Sequence, residues 1–375
     1  MIERPTNDHP SFASLPSPEP AAGLEAYESE RESALSFSAK RRENYERYQN
    51  SARRSARLDY LPIKLDVENV SRCNYRCTMC VVSDWNKGKR AEDMPFGEFK
   101  RLIDEQYGLV EIKLQGIGEP SMQGDVFFDM IQYARSQHIW VRTTTNASFL
   151  HLKDNFKKYI DSDANEIQIS IDGADKETFE GIRRGGRFER VTDNCQKINA
   201  HSRERGVVRT KMWTVVQRAN QHQLEDLVDL AHQLGFTNQV FSLDMTGWGT
   251  DDWAERNAAE SVGDSMELDR LLALVDRGAA LGVKVSFWVI NEKYSTRATE
   301  KLCPWPFERA VVTSDLRTVP CCTIGDPDAY ELGKGVRFTD LWQSDEYVSF
   351  RQAHLDGAIP KVCQTCYYKA EHFPS

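Results

Sequence analysis

The chain has 375 residues, enough for one large domain with a smaller companion, and its 40% hydrophobic and 28% charged residues are usual for a soluble globular protein. A formal net charge of −9 argues against general nucleic-acid binding, which needs a basic surface. No apolar run approaches the ~20 residues that span a bilayer and the first twenty residues hold no apolar signal core, so a cytoplasmic protein without a membrane partner is expected.

Residues 1–35 are rich in Pro, Ser, Glu and Ala without any period and read as a disordered N-terminal segment. Residues 36–60 form a strongly basic helical extension, either a solvated helix on the domain edge or a docking surface for an acidic redox partner. From Leu61 onward, short strand-like runs alternate with amphipathic helical periods. Strands are expected at 63–67, 111–115, 140–145, 166–171, 209–216, 239–244 and 283–289, and helices at 96–106, 126–136, 152–160, 188–200 and 223–234. This alternation predicts an α/β fold, a parallel sheet wrapped by helices, with about six units closing into a partial (β/α)6 barrel over residues 61–295. Polar residues 247–265, which carry two tryptophans and follow a strand, are expected to cover the barrel mouth. Beyond residue 301 the composition turns to Cys, Pro and Trp, which marks a small C-terminal domain, 296–375, built on a β-hairpin and a helix.

Nine cysteines, an odd number, suit metal ligation or catalysis better than disulfides in a reducing compartment. Cys73-Asn-Tyr-Arg-Cys77-Thr-Met-Cys80 places three thiols on one loop directly after the first strand. A structural zinc uses four closed protein ligands, whereas a cubane held by three cysteines leaves one iron open to a small chelating molecule. Cys303, Cys321 or Cys322, Cys363 and Cys366 form a second set. Strands at 310–312 and 316–319 around Thr313-Ser314-Asp315 bring Cys303 and Cys321 together, and four thiolates can hold a zinc or a complete cubane. Cys195 shares a helical face with Phe188, Val191 and Ile198 and reads as a core residue. On the fifth strand either Lys211 and Trp213 or Met212 and Thr214 face inward, and alternation alone leaves both open.

The three-cysteine loop, together with the motifs that end the following strands, resembles the radical S-adenosylmethionine (SAM) superfamily. The resemblance implies that the open iron binds SAM through its amino and carboxylate groups and that a 5′-deoxyadenosyl radical results. Met79 stands where the family often has an aromatic residue near the adenine. Gly116-Ile-Gly118-Glu119-Pro120 looks like the GGEP segment, which implies Gly118, Glu119 and Pro120 around the cofactor's amino group. Thr144-Thr145-Asn146 is similar to the TN segment facing the site. Ser170-Ile171-Asp172-Gly173 implies contacts from Ser170 and Asp172 to the ribose or carboxylate. Arg183-Arg184-Gly185-Gly186 resembles the RGG loop, with Arg183 paired to the cofactor carboxylate.

Cys303-Pro304, Pro320-Cys321-Cys322, Leu332-Gly333, Leu341-Trp342 and Cys363–Cys366 resemble the SPASM/twitch extension of that superfamily. Four ligands and a spare fit one auxiliary cluster, hence the shorter twitch form, with Cys321 as ligand and Cys322 as its neighbour. The resemblance thus implies a radical SAM enzyme with SAM, two [4Fe–4S] clusters and a reducing partner such as flavodoxin or ferredoxin. A small polar substrate (sugar, aminocyclitol or nucleoside) is expected, with oxidation of an alcohol and the auxiliary cluster as electron acceptor. Alternatives are a radical epimerase with Cys322 as hydrogen donor, a dehydratase or decarboxylase, a peptide maturase, and a non-enzymatic iron–sulfur carrier. Cys322, Lys211 and Arg218 are the candidate catalytic residues. Gln217 and Asn220 are candidate substrate contacts, and His232, Asp244, Trp248 and Trp253 are further residues that could border the pocket.

Overall fold

The computed structural model describes residues 12–86, 89–90, 92–334 and 337–368. In chain order the elements are α1 (Leu24–Phe37), α2 (Ala39–Ser51), β1 (Lys64–Val67), α3 (Phe96–Glu105), β2 (Glu111–Leu114), α4 (Asp125–Ser136), β3 (Trp140–Thr145), α5 (Asn155–Asp161) and β4 (Glu166–Ser170). They continue with α6 (Lys176–Ile182), α7 (Phe188–Glu204), β5 (Thr210–Val215), α8 (Leu224–Gln233), β6 (Asn238–Ser242), α9 (Asp251–Glu260), α10 (Leu268–Leu281) and β7 (Lys284–Trp288). The C-terminal part adds α11 (Trp305–Glu308), β8 (Arg309–Val312), β9 (Arg317–Val319), β10 (Gly333–Lys334), α12 (Phe338–Trp342) and α13 (Asp345–Leu355). None of these helices is long and apolar enough to cross a membrane.

The expected α/β architecture is what the chain forms. β1 to β7 run parallel in sequence order, six strand–helix units followed by a seventh strand. Alternation within each strand decides what faces where. In β1, Leu65 and Val67 join the main core under the helices, so Lys64 and Asp66 point into the barrel lumen. In β2, Ile112 and Leu114 go to the core, and Glu111 and Lys113 to the lumen. The helices answer with matching stripes: in α3, Phe99, Leu102 and Ile103 are buried while Lys100 and Arg101 pair with Asp104 and Glu98 in solvent.

The C-terminal cysteine region extends the same sheet. β8 pairs in parallel with β1, with Arg309 opposite Lys64 and Val312 opposite Val67. β9 and β10 follow in antiparallel fashion, giving ten strands in the order β10-β9-β8-β1-β2-β3-β4-β5-β6-β7. The expected border at 295/296 therefore falls between parts that share one sheet.

The expected disorder of residues 1–35 is corrected for residues 12–35; residues 1–11 lie outside the described residues, as do residues 369–375 of the C-terminal part. Phe12 and Leu15 are buried in the main core, and α1 is helical from Leu24. Phe287 N–H donates to Pro16 O (2.8 Å), Ala21 N–H to Glu166 Oε2 (3.0 Å) and Lys211 Nζ to Glu19 O (2.6 Å). The segment has too few apolar residues for a core of its own; it is ordered because it packs along β7 and across the N-terminal ends of β5 and β4.

Beneath it lies a layer of paired charges. Arg142 donates to Glu111 (2.6 Å), Lys64 stands 3.8 Å from both Glu111 and Glu308, Arg309 is 3.2 Å from Glu308, and Lys211 is 2.9 Å from Glu166. Burial opposes ionisation here, yet the surrounding cations hold Glu111 well below the usual carboxylate range and bring Glu308 to about 2. Lys211 belongs to this floor, which corrects its reading as a catalytic residue. It faces the lumen, as Trp213 does, but it sits at the N-terminal end of a parallel strand, away from the end where barrel enzymes place their chemistry. Lys211→Ala should cost about 3–5 kcal/mol, because it strands the Glu166 carboxylate in the floor. The double variant Glu166→Gln/Lys211→Met should recover most of that loss, as read from urea unfolding midpoints.

Candidate active site

The loop carrying Cys73, Cys77 and Cys80 leaves the C-terminal end of β1 and is gripped by backbone on two sides. Glu119 N–H donates to Arg72 O (2.8 Å) from one side; Arg76 N–H donates to Arg184 O (2.8 Å) and Thr78 N–H to Ile182 O (3.0 Å) on the other. A Cβ at Gly118 would collide with the carbonyls of Val70 and Arg72, and Gly185 turns at φ +93° against Asn74 and Tyr75. The GIGEP and RRGG segments are therefore clamps on the cysteine loop. Tyr75, Met79 and Ile182 enclose the thiols from one side, Val81, Val82 and Trp253 from the other. Burial pushes all three thiols up, Cys80 to about 12, and the neighbouring thiol charges add to the effect at Cys73 and Cys80.

Other residues anticipated at the cofactor are placed as follows. Glu119 is buried, and its carboxylate accepts from Ser121 Oγ (2.6 Å), Thr145 Oγ1 (2.8 Å) and Asn146 N–H (2.7 Å), so it locks the ends of β2 and β3 together. Asn146 Nδ2 donates to Asn74 Oδ1 (3.0 Å) and lies 3.9 Å from Cys73 Sγ. Pro120 is buried and opens a short 3-10 turn, its carbonyl accepting from Asn69 (3.0 Å). Asp172 accepts from Val215 N–H (2.8 Å), and its second oxygen is 2.7 Å from Arg183 Nε, off the N–H axis. This ion pair aims Arg183 at the loop, with Nη1 4.0 Å from Cys77 Sγ, while Arg184 is exposed. Ser170 ends β4 beside Trp213, half-buried.

The segment expected to cover the mouth does reach the cysteine loop. Met79 O accepts from the Trp248 indole N–H (2.9 Å) and from Asn257 Nδ2 (3.1 Å), and Trp253 packs on Val81 and Val82. Arg218 is exposed, and its Nε donates to Ala259 O (2.6 Å), which ties the β5–α8 connection to α9. The structure thus gives this catalytic candidate a structural contact outside the lumen. Asn220 Nδ2 donates to the carbonyls of Asp172 (3.0 Å) and Val215 (2.9 Å), a strand-end lock. His232 is exposed on α8, and Asp244 accepts the N–H groups of Ile290 and Asn291. Cys195 is a core residue of α7. A cleft of about 860 Å³ runs beside the cysteine loop, from Thr78, Ile182, Gln217 and Met245 at its inner end to exposed Glu177, His222, Arg256 and Glu260. Gln217 Nε2 is buried there without a hydrogen-bond partner among the described residues.

In the second set, burial and the neighbouring Cys321 push Cys303 up to about 12, and burial with the other thiols raises Cys363 and Cys366 well above the usual range. Cys303, Cys363 and Cys366 pack into the core beside Tyr294 and Tyr330, and Cys303 N–H donates to Tyr367 Oη (3.0 Å). Cys322 has different neighbours. Burial and then Asp66 push its thiol up to about 12, while Lys113 pulls it down. Its surface is nonetheless accessible. Cys321 thus shares a field with Cys303, Cys363 and Cys366, while Cys322 shares one with Asp66 and Lys113. Sequence reading missed Asp66 and Lys113; the available signal was charge at every second position of the strands Lys64–Val67 and Glu111–Leu114, on the face opposite their Leu, Ile and Val residues.

The residues fit the groups the motifs imply. Three buried thiols without a fourth leave one corner of a cubane to SAM, and the adjoining cleft offers the unpartnered Gln217 amide. The other four thiols lie within one another's field.

Residues 70–231 match the family model described as the radical SAM superfamily, and residues 303–367 match SPASM, an iron–sulfur cluster-binding domain. The chain is 32% identical over 199 residues to the mycofactocin maturase MftC of Mycobacterium tuberculosis, a match covering 52% of this chain and 48% of that one. It is 26% identical over 215 residues to the GTP 3′,8-cyclase of Desulforamulus reducens, covering 55% and 62%. The matched stretch thus spans about half the length of the maturase. In fold it is similar to Streptococcus suis SuiB bound to the precursor peptide SuiA, with TM-score 0.63 at 16% identity over 82% of this chain and 70% of that one.

Anaerobically reconstituted protein should hold about eight irons per chain, as two cubanes require. Replacing Cys73, Cys77 and Cys80 by Ala, or Cys321 alone, should each remove about four, and Cys322→Ala should remove none. Iron and sulfide analysis reads all three.

Proposed function

Because this chain carries a radical SAM domain joined to an iron–sulfur-binding SPASM domain, we propose that it is a radical enzyme that modifies a peptide. When bound, the three-cysteine cluster and SAM supply hydrogen-atom abstraction from a substrate C–H bond. Cys73, Cys77 and Cys80 would hold that cluster. The Asp172-oriented Arg183 guanidinium is suited to the SAM carboxylate, and the Gln217 amide to another of its polar groups. Glu119 acts one step back, fixing Asn146 and Thr145 against the loop. Cys303, Cys321, Cys363 and Cys366 would hold an auxiliary cluster. A low-potential one-electron donor such as flavodoxin or ferredoxin would reduce the enzyme.

The observation that carries the peptide reading is the cleft. It begins at the cysteine loop and ends among exposed charges of both signs, so a long substrate can extend out of the molecule while one residue stays inside. The maturase relative supports the same class. The small polar substrate expected from sequence, with alcohol oxidation, remains a second reading, favoured by the GTP 3′,8-cyclase relative at lower identity.

Label transfer separates the two. Reduced holoprotein with SAM should move deuterium into 5′-deoxyadenosine from a pool of perdeuterated peptides, and not from deuterated sugars, aminocyclitols or nucleosides. Transfer from the small molecules alone would overturn the peptide reading.

A further inference from the structure

Charges in the barrel lumen are arranged in two tiers. In the floor, Lys64, Glu111, Arg142, Glu166, Lys211 and Arg309 each have an opposite charge within 4 Å. One tier up, Asp66 and Lys113 face each other in register on β1 and β2, yet neither makes a hydrogen bond or ion pair among the described residues. Asp66 is only 4% exposed. Leaving a buried carboxylate unpaired is costly, so such a group marks a place where something else supplies the partner. The Cys322 thiol lies within the field of both side chains and is exposed. Val319, three residues before it, stands in the same row of the sheet as Asp66 and Lys113.

We infer that Asp66 and Lys113 form a substrate-positioning pair in the lumen that takes the N–H and C=O of one residue of an extended peptide. Side by side, the pair presents an acceptor next to a donor. In an extended chain the N–H and C=O of a single residue point to the same edge, as they do when a strand residue exchanges both bonds with its partner. One residue can therefore answer both side chains at once, Asp66 accepting its N–H and Lys113 donating to its carbonyl. An aliphatic polyol lacks that fixed donor–acceptor edge. The inference rests on the peptide reading and adds the residues that would grip the peptide.

Cys322 reports occupancy without turnover. In the holoprotein the other lumen-side thiols are cluster ligands, so iodoacetamide labelling of the Cys322 peptide can be followed by mass spectrometry. Saturating N-acetyl-alanyl-alaninamide should slow this labelling at least fivefold, and myo-inositol should not. Lys113→Met and Asp66→Leu should each abolish the protection, and Lys113→Arg should restore part of it. Absence of protection in the wild type, or equal protection in both variants, overturns the inference. Should Lys113→Met fail to take up its clusters, Asp66→Leu, which removes the acceptor, decides alone. Deuterium transfer from peptides with no protection at Cys322 would leave the peptide reading standing and remove only this site; protection by inositol alone would count against both.

Discussion

The open end of the barrel depends on β8 lying against β1. Four residues of each strand pair in parallel register, and this contact turns a seven-stranded arc into a ten-stranded sheet. β1 runs on into Cys73, and the β8–β9 hairpin runs on into Cys321 and Cys322. One ladder therefore fixes the three-cysteine loop and the C-terminal cysteines relative to each other. A tethered module could drift. A hairpin bonded to the first barrel strand holds its cysteines at a set distance from the lumen, which electron transfer or substrate contact requires.

The cysteine loop itself is positioned by backbone more than by side chains. Its hydrogen-bond partners are Glu119 on the β2 side and Ile182 and Arg184 on the α6 side, and glycines 118 and 185 allow that approach. Acidic and basic side chains then fix the clamps: Glu119 holds Thr145 and Asn146, and Asp172 holds Arg183. Residues that sequence motifs present as cofactor contacts are thus also the joints of the scaffold. A substitution at Glu119 would disturb the loop whether or not its carboxylate meets a ligand.

Much of this was legible beforehand, and the failures have physical causes. Strand and helix alternation gave the parallel sheet because each strand puts Leu, Ile or Val under a helix, as at Leu65, Val67, Ile112 and Leu114. The cysteine spacing drew out the two thiol groups. α6 has seven residues, too few for a period to show, and α9 is polar around most of its surface, so both were submerged in expected loops. The N-terminal segment looked structureless because composition reports whether a segment can build its own core, and this one borrows the barrel's. Lys211 and Arg218 drew attention as charges near a strand end. That Lys211 begins its strand was already in the expected range 209–216; its ion pair with Glu166 and the Arg218 bond to Ala259 are long-range contacts that one-dimensional pattern does not contain. Asp66 and Lys113 were hidden for a different reason: each shares its short strand with a second charge, Lys64 or Glu111, and only strand register shows which charges pair and which are left side by side.

The N-terminal segment also bears on the chemistry. A partial barrel is open below, and water reaching its lumen would weaken every electrostatic contact there and expose a radical to side reactions. Here residues 19–21 bond to β5 and β4 at their N-terminal ends, Pro16 O accepts from Phe287 near the far end of β7, and Tyr27 of α1 donates to Glu111 (2.8 Å) while its ring packs edge-on to Trp140. The ion-paired floor gives that seal something polar to close on, since backbone carbonyls such as Glu19 O need donors once buried. Covering the floor in this way leaves Asp66 and Lys113 one tier above the paired charges, toward the C-terminal ends of β1 and β2. A group that enters there meets two unspent charges in a low-dielectric space, and that is where their discrimination between a matched and an unmatched partner is greatest.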